Sequence, residues 1–220
     1  MFSPDKWFTN PSTGFYPKTI GQSLRFEDGD SAYLSRTPAS AGNQRTWTWS
    51  CWLKGGNITL GSSNHQTLFS CGTENTQIRF NASDDTLDVL FGGSTDGHLR
   101  TSQVFRDTSA FYNIVVQVDT TQSTSTDRCK VYINGTQVTS FGTSTYPAQN
   151  YDTGINNTEA HNVGRSAFDN NRYFDGYMAE VHFLDGIAND PTTLGLGEVK
   201  DGVWIPKAYS GSHGTNGFYL

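Results

Sequence analysis

Hydrophobic residues recur at every second position in several short runs of this chain. In Thr46–Lys54, Trp47, Trp49, Cys51 and Leu53 alternate with Thr48, Ser50 and Lys54. A period of two puts the two sets on opposite faces of an extended chain, which predicts a strand with its large side chains turned inward. Trp52 falls on the other face, where it is either covered by a loop or open as a platform on which a sugar ring stacks. In Met178–Phe183, Ala179, Val181 and Phe183 alternate with Met178, Glu180 and His182, between the turn dipeptides Asp175-Gly176 and Asp185-Gly186. This predicts a half-buried strand with the first three inward. Ala110–Asp119 is apolar and β-branched and reads as a central strand. Asn134-Gly135 joins two extended runs in a hairpin, and Ser83-Asp84-Asp85 joins another pair, 76–82 and 86–91. Shorter strands are expected at 23–26, 32–35, 67–71 and 99–104, a long loop at 141–160, and one helical turn where Asp190 caps Pro191. The result is an all-β, two-sheet antiparallel sandwich, with Trp47, Trp49, Val116, Val131 and Val181 meeting in one dry interior.

The ends of the chain break the pattern. In residues 1–21, Phe2, Trp7, Phe8, Phe15 and Tyr16 are interleaved with Pro4, Pro11, Pro17 and Gly14, and no helical or strand period survives. Such a segment is an extended arm, laid either across its own sandwich or into pockets on a neighbouring subunit, where aromatic side chains contribute most. The sandwich is expected over 22–188. Residues 189–220 form a C-terminal extension or linker ending in Phe218-Tyr219-Leu220, a strand without an obvious partner in sequence.

Composition narrows the function classes. The chain has 220 residues, a formal net charge of −6, a pI near 5.2, and 16% charged residues. That balance draws neither nucleic acid nor an anionic membrane surface. The start lacks the basic and apolar regions of a secretory signal, and no apolar run approaches the length of a membrane helix, so membrane insertion is not expected. Cys51, Cys71 and Cys129 are odd in number and lie in apolar or strand-like contexts; buried free thiols are expected, with a Cys51–Cys71 bridge left open.

The order small residue-Gly-Arg, polar loop, aromatic-Asp-Gly-aromatic-Met-Ala-Glu-Val-x-Phe across Val163–Gly186 resembles the end of a laminin-G-like domain of the concanavalin A-like lectin/glucanase superfamily. Ser23–Lys54 resembles the opening strands of such domains and Cys129–Val138 their late hairpin. The form is similar to versions found in tailed-phage structural proteins. The resemblance implies a concanavalin A-like jelly roll. It also implies a virion structural protein (a fibre, appendage or capsid decoration) at the virion surface, with other virion proteins as partners and a homo-oligomer, by analogy a trimer. A stand-alone carbohydrate-binding lectin is the alternative.

The glucanase branch of that superfamily carries acids spaced Glu-x-Asp-x-Glu on one strand. The glutamates here are Glu27, Glu74, Glu159, Glu180 and Glu198, and none has an aspartate two residues on. No nucleophile elbow, phosphate-binding loop or zinc spacing occurs, so a non-enzymatic role without a cofactor is expected. Calcium is the one metal with candidate ligands, either Asp84, Asp85 and Asp88 or Asp169, Asn170 and Asp175; both sets also suit turns, and no metal is assigned. For a glycan, Asp169, Asn170, Asn171, Arg172 and Tyr173 supply hydrogen-bonding groups and a stacking ring in five consecutive residues, with Trp52 as a second ring.

Overall fold

The computed structural model describes residues 15–57, 64–72 and 74–220. Among these residues the chain folds into sixteen strands, one α-helical turn and two short 3-10 turns. The first sheet runs in the order β1 (Leu24–Phe26), β13 (Gly176–Asp185), β3 (Thr46–Gly55), β8 (Tyr112–Asp119), β9 (Cys129–Ile133), β10 (Thr136–Gln137), with β16 (Phe218–Tyr219) added along β13. The second runs β11 (Phe141–Thr145), β7 (Gly97–Val104), β6 (Thr86–Phe91), β5 (Gln77–Phe80), β4 (Gln66–Cys71), β12 (His161–Val163), β2 (Leu34–Arg36). Neighbours in both sheets are antiparallel. This is the two-sheet antiparallel sandwich that the alternating pattern predicts, in the jelly-roll form that the resemblance implies.

The interior lies between the sheets. Trp47, Trp49, Cys51 and Leu53 of β3 point into it, as do Val116 of β8, Val131 of β9 and Val181 of β13, so the five side chains expected to meet do so. Trp49 stacks on Phe69 from the opposite sheet at 6.0 Å and 7°, and Phe69 also touches Phe183 at 5.7 Å. Each such ring or branched side chain taken fully from water contributes roughly 1.5–3 kcal/mol before chain entropy is subtracted. The three cysteines are buried free thiols.

Two sequence expectations need correction. The alternation in β13 breaks at Glu180, where the backbone takes φ +50° and the register against β3 shifts between Ala179 and His182. A bulge inserts one residue and reverses the faces on either side of it. Met178 therefore joins Val181 and Phe183 in the interior, and Ala179 turns outward opposite Trp52. The expected long loop 141–160 begins with β11, an edge strand on β7. Its residues, FGTST, are half-buried at most, so no apolar alternation marks it.

The C-terminal residues return to the sandwich. Asp190 caps the helical turn α1 (Pro191–Leu194), its carboxylate accepting from the Thr192 and Thr193 amides. The hairpin β14 (Gly197–Lys200) and β15 (Val203–Pro206) packs through Trp204, whose indole N–H donates to Asn113 Oδ1 at 2.9 Å. Leu196 sits with Val115 and Tyr132 on the outer side of the first sheet. The last strand pairs back, with His182 opposite Tyr219 and Phe183 opposite Phe218.

Candidate functional site

The segment 16–23 and the end of β15 at Pro206 lie on the outer face of the first sheet beside a cleft of about 480 Å3. Its floor is Trp52 of β3 and Ala179 of β13, its rim Phe111 and Pro206, and one wall is the segment from Tyr16 to Ser23. Of the described tryptophans, Trp47, Trp49 and Trp204 are buried, whereas Trp52 is half-buried and meets the cleft. Phe111 on the rim is 48% exposed. The N-terminal segment overhangs the Trp52 ring without sealing it.

The overhang is pinned at the bulge. The positive φ of Glu180 turns its carboxylate to the terminal segments, where it pairs with Lys18 and accepts from the Tyr219 hydroxyl at 2.7 Å. His182, next on the same face, stacks on Tyr219 and lies 3.1 Å from His213 through its Nδ1. Burial pushes the His182 imidazolium down to about 4, against the pull of Glu180 and with help from His213 and Lys18. Phe15 and Tyr16 form an edge-to-face pair at 5.0 Å, and Tyr16 is 61% exposed. Phe2, Trp7 and Phe8, the remaining aromatics expected to anchor the arm, lie outside the described residues.

The loop expected to hold a sugar sits on the other side of the sandwich. Residues 165–173 leave the edge of the second sheet beside β4: Ser70 Oγ holds Arg165 O and the Ala167 amide, and the Thr67 amide donates to Arg172 O at 2.9 Å. Asp169 pairs with Arg172 at 2.9 Å, and Asn170 and Arg172 take φ +55° and +64°. Asn171 closes the turn, its carbonyl accepting from the Ser166 amide. Tyr173 stands 6.4 Å from Tyr33, on whose ring the Arg165 guanidinium lies at 3.5 Å. Asp169–Tyr173 are thus together, but Trp52 is on the opposite outer face and does not join them.

Beside that loop, the outer face of the second sheet carries a charged row that sequence reasoning missed. Arg79, Asp88 and Arg100 are cross-strand neighbours on β5, β6 and β7. Asp88 has no solvent exposure. Its Oδ1 accepts from Arg100 Nε at 2.8 Å and lies 2.9 Å from His98 Nε2; its Oδ2 accepts from Asn81 at 2.9 Å and Arg79 Nε at 3.4 Å. Burial would raise this carboxyl, but the bonds from His98, Arg100 and Asn81 outweigh it and hold it well below the usual range. In the alternation of QIRF, LDVLF and GHLR, Arg79, Asp88, His98 and Arg100 take outward positions, and only the strand register makes them neighbours.

Asp88 is taken by the guanidinium groups, Asp85 pairs with Arg106 at 2.9 Å, and Asp84 accepts from Thr86. Asp169 is paired with Arg172, and Asp175 lies beside Glu27 and Asp28, three carboxylates close enough to share one cation.

Residues 28–191 match a laminin G profile described as the concanavalin A-like lectin/glucanases superfamily. No curated protein sequence matches the chain. Among solved structures, the native heptameric SAP-like pentraxin from Limulus polyphemus is similar at a TM-score of 0.50 and 14% identity, over 93% of this chain and 92% of that one. The binding domain of botulinum neurotoxin serotype G gives 0.50 and 10%, over 78% of this chain and 40% of that one. Domains LG4-5 of the mouse laminin alpha1 chain give 0.47 and 11%, over 86% and 46%. Identities this low speak for the fold alone.

Proposed function

Because the chain belongs to the concanavalin A-like lectin/glucanases superfamily, we propose that it is a non-catalytic carbohydrate-binding domain whose sugar site is the Trp52 cleft. The observation that carries this is the cleft itself: about 480 Å3, floored by the one described tryptophan that meets solvent, with Phe111 on the rim and Thr19, Gln22 and Ser23 on the wall. A pyranose stacks its C–H face on an indole and spends its hydroxyls on amide and hydroxyl groups around it. The volume suits one or two sugar rings. Glycoside hydrolysis needs two free carboxyl groups flanking the bond. Glu180, next in sequence to Ala179 on the cleft floor, is buried and held by Lys18 and Tyr219, which supports binding without cleavage. A glycan array with the whole chain tests this. Defined glycans retained by the native chain and lost by Trp52→Ala are expected; binding unchanged in that variant would overturn the site, and no glycan bound would overturn the function.

The finer role follows the pattern of Val163–Gly186, similar to that of tailed-phage structural proteins. On this reading the domain stands at the virion surface as a fibre, appendage or capsid decoration, assembles with other virion proteins and its own copies, and is anchored through residues 1–21. Removing residues 1–21 is expected to abolish incorporation into particles. A monomer that binds glycans and enters no assembly would favour the stand-alone lectin.

A further inference from the structure

We propose that the outer face of the second sheet is a separate recognition site for a carboxylate-bearing saccharide, with Arg79 and Arg100 as its clamp. Asp88 acts as a central post. It receives Arg79 Nε on one oxygen and Arg100 Nε on the other, so it fixes both guanidinium planes while using only one edge of each. Among the described residues, the bonds of Arg79 and Arg100 to Asp88 run through Nε, no hydrogen bond to protein uses their terminal amines, and Nη1 of Arg100 stands 4.0 Å from Asp84. The two side chains are 12% and 29% exposed, sunk but reachable. A guanidinium fork with its outer edge unspent matches the planar, two-oxygen face of a carboxylate better than any neutral group.

The local field has the right sign. Burial lowers the charged form of Arg79, and Arg172 and Arg100 lower it further against the single opposing Asp88. His65, in the same neighbourhood, is pushed down to about 4 by burial and then by Arg79 and Arg172. A bound anion would relieve both. The Asp169–Arg172 turn borders the site and offers Asn170 and Asn171 to the hydroxyls of the same sugar. This site is distinct from the Trp52 cleft, across the thickness of the sandwich, and does not depend on it.

The test is isothermal titration of the whole chain with trigalacturonate and with its methyl ester, in which each carboxylate charge is replaced by a neutral ester. The acid is expected to bind at least about tenfold tighter, with the advantage shrinking as salt rises. Arg79→Gln is expected to erase the difference, Arg79→Lys to keep part of it, and Trp52→Ala to leave it unchanged. Should Arg79→Gln unfold the chain by unbalancing Asp88, the acid-versus-ester comparison on the native chain still decides. Equal binding of acid and ester, no binding of the acid, or full competition by sodium sulfate at matched ionic strength would overturn the proposal. Loss of the acid preference in Trp52→Ala would return the binding to the other cleft and overturn it as well.

Discussion

Acid should loosen this fold before any carboxylate titrates, and His182 should carry a measurable share of the loss. The ring is 4% exposed, stacked on Tyr219 with His213 beside it, Tyr209 on its edge, and Glu180 and Lys18 as neighbouring charges. Its protonated form is pushed from 6.5 to about 4 in the folded chain. The unfolded chain then binds the extra proton first, so the stabilisation is complete above about pH 6.5 and is lost as pH falls toward 4. At pH 5 a shift of this size removes about 2 kcal/mol from this one group, or a melting-temperature drop of about 4–8 °C for a chain of this length. His65, His161 and His213 are lowered too and act in the same direction. Asp88 is held below the ordinary range and adds its loss only under pH 4, while Asp175, held above it by burial, works in the opposite direction. The window from pH 5 to 8 therefore isolates the histidines. His182→Phe keeps the stack and removes the proton. It is expected to cost about 1 kcal/mol at pH 8 through the lost bond to His213, yet to melt about 4–8 °C less steeply between pH 8 and 5. Melting followed by circular dichroism across that range is the assay. A variant whose melting temperature falls as fast as the native chain's would refute the reasoning.

Two further outcomes follow from the packing. Burial raises the thiols of Cys51, Cys71 and Cys129, Cys71 to about 12, so none should react with a disulfide reagent at pH 8 until the chain unfolds, when all three should; one fast thiol in the native protein would contradict the buried assignment. Gly176 takes φ +143° with the Lys54 carbonyl where a Cβ would stand, whereas Gly195 at φ +74° faces open space, so Gly176→Ala should cost more than about 2 kcal/mol and Gly195→Ala about 1 in denaturant titration; equal costs would show that the Lys54 contact does not matter.

Much of the fold was legible because the strands that build the interior obey a strict period. Trp47 to Leu53 and Ala110 to Asp119 could face only one way, and Asn134-Gly135 fixed the hairpin between β9 and β10. Where the period fails, legibility fails with it. The Glu180 bulge is one inserted residue, and nothing in Met-Ala-Glu-Val marks it, so Met178 and Ala179 were assigned to the wrong sides. β11 escaped notice because an exposed edge strand needs no apolar face. The site was harder still. Trp52 stood out as the odd ring in its strand, but the wall that makes a cleft of it comes from residues 16–23, more than 25 positions earlier. Arg79, Asp88 and Arg100 become neighbours only through strand register, which no local pattern contains. Grouping Trp52 with Asp169–Tyr173 joined residues that lie on opposite faces.

The most direct test of the sugar site watches the tryptophans themselves. The chain has five, and each gives one indole N–H signal in a nitrogen-15 correlation spectrum. Titration with a glycan taken from the array is predicted to move the Trp52 signal progressively to saturation, while those of Trp47, Trp49 and Trp204, which are buried, stay in place. A glycan that binds and leaves the Trp52 signal unmoved would contradict the assignment of the cleft.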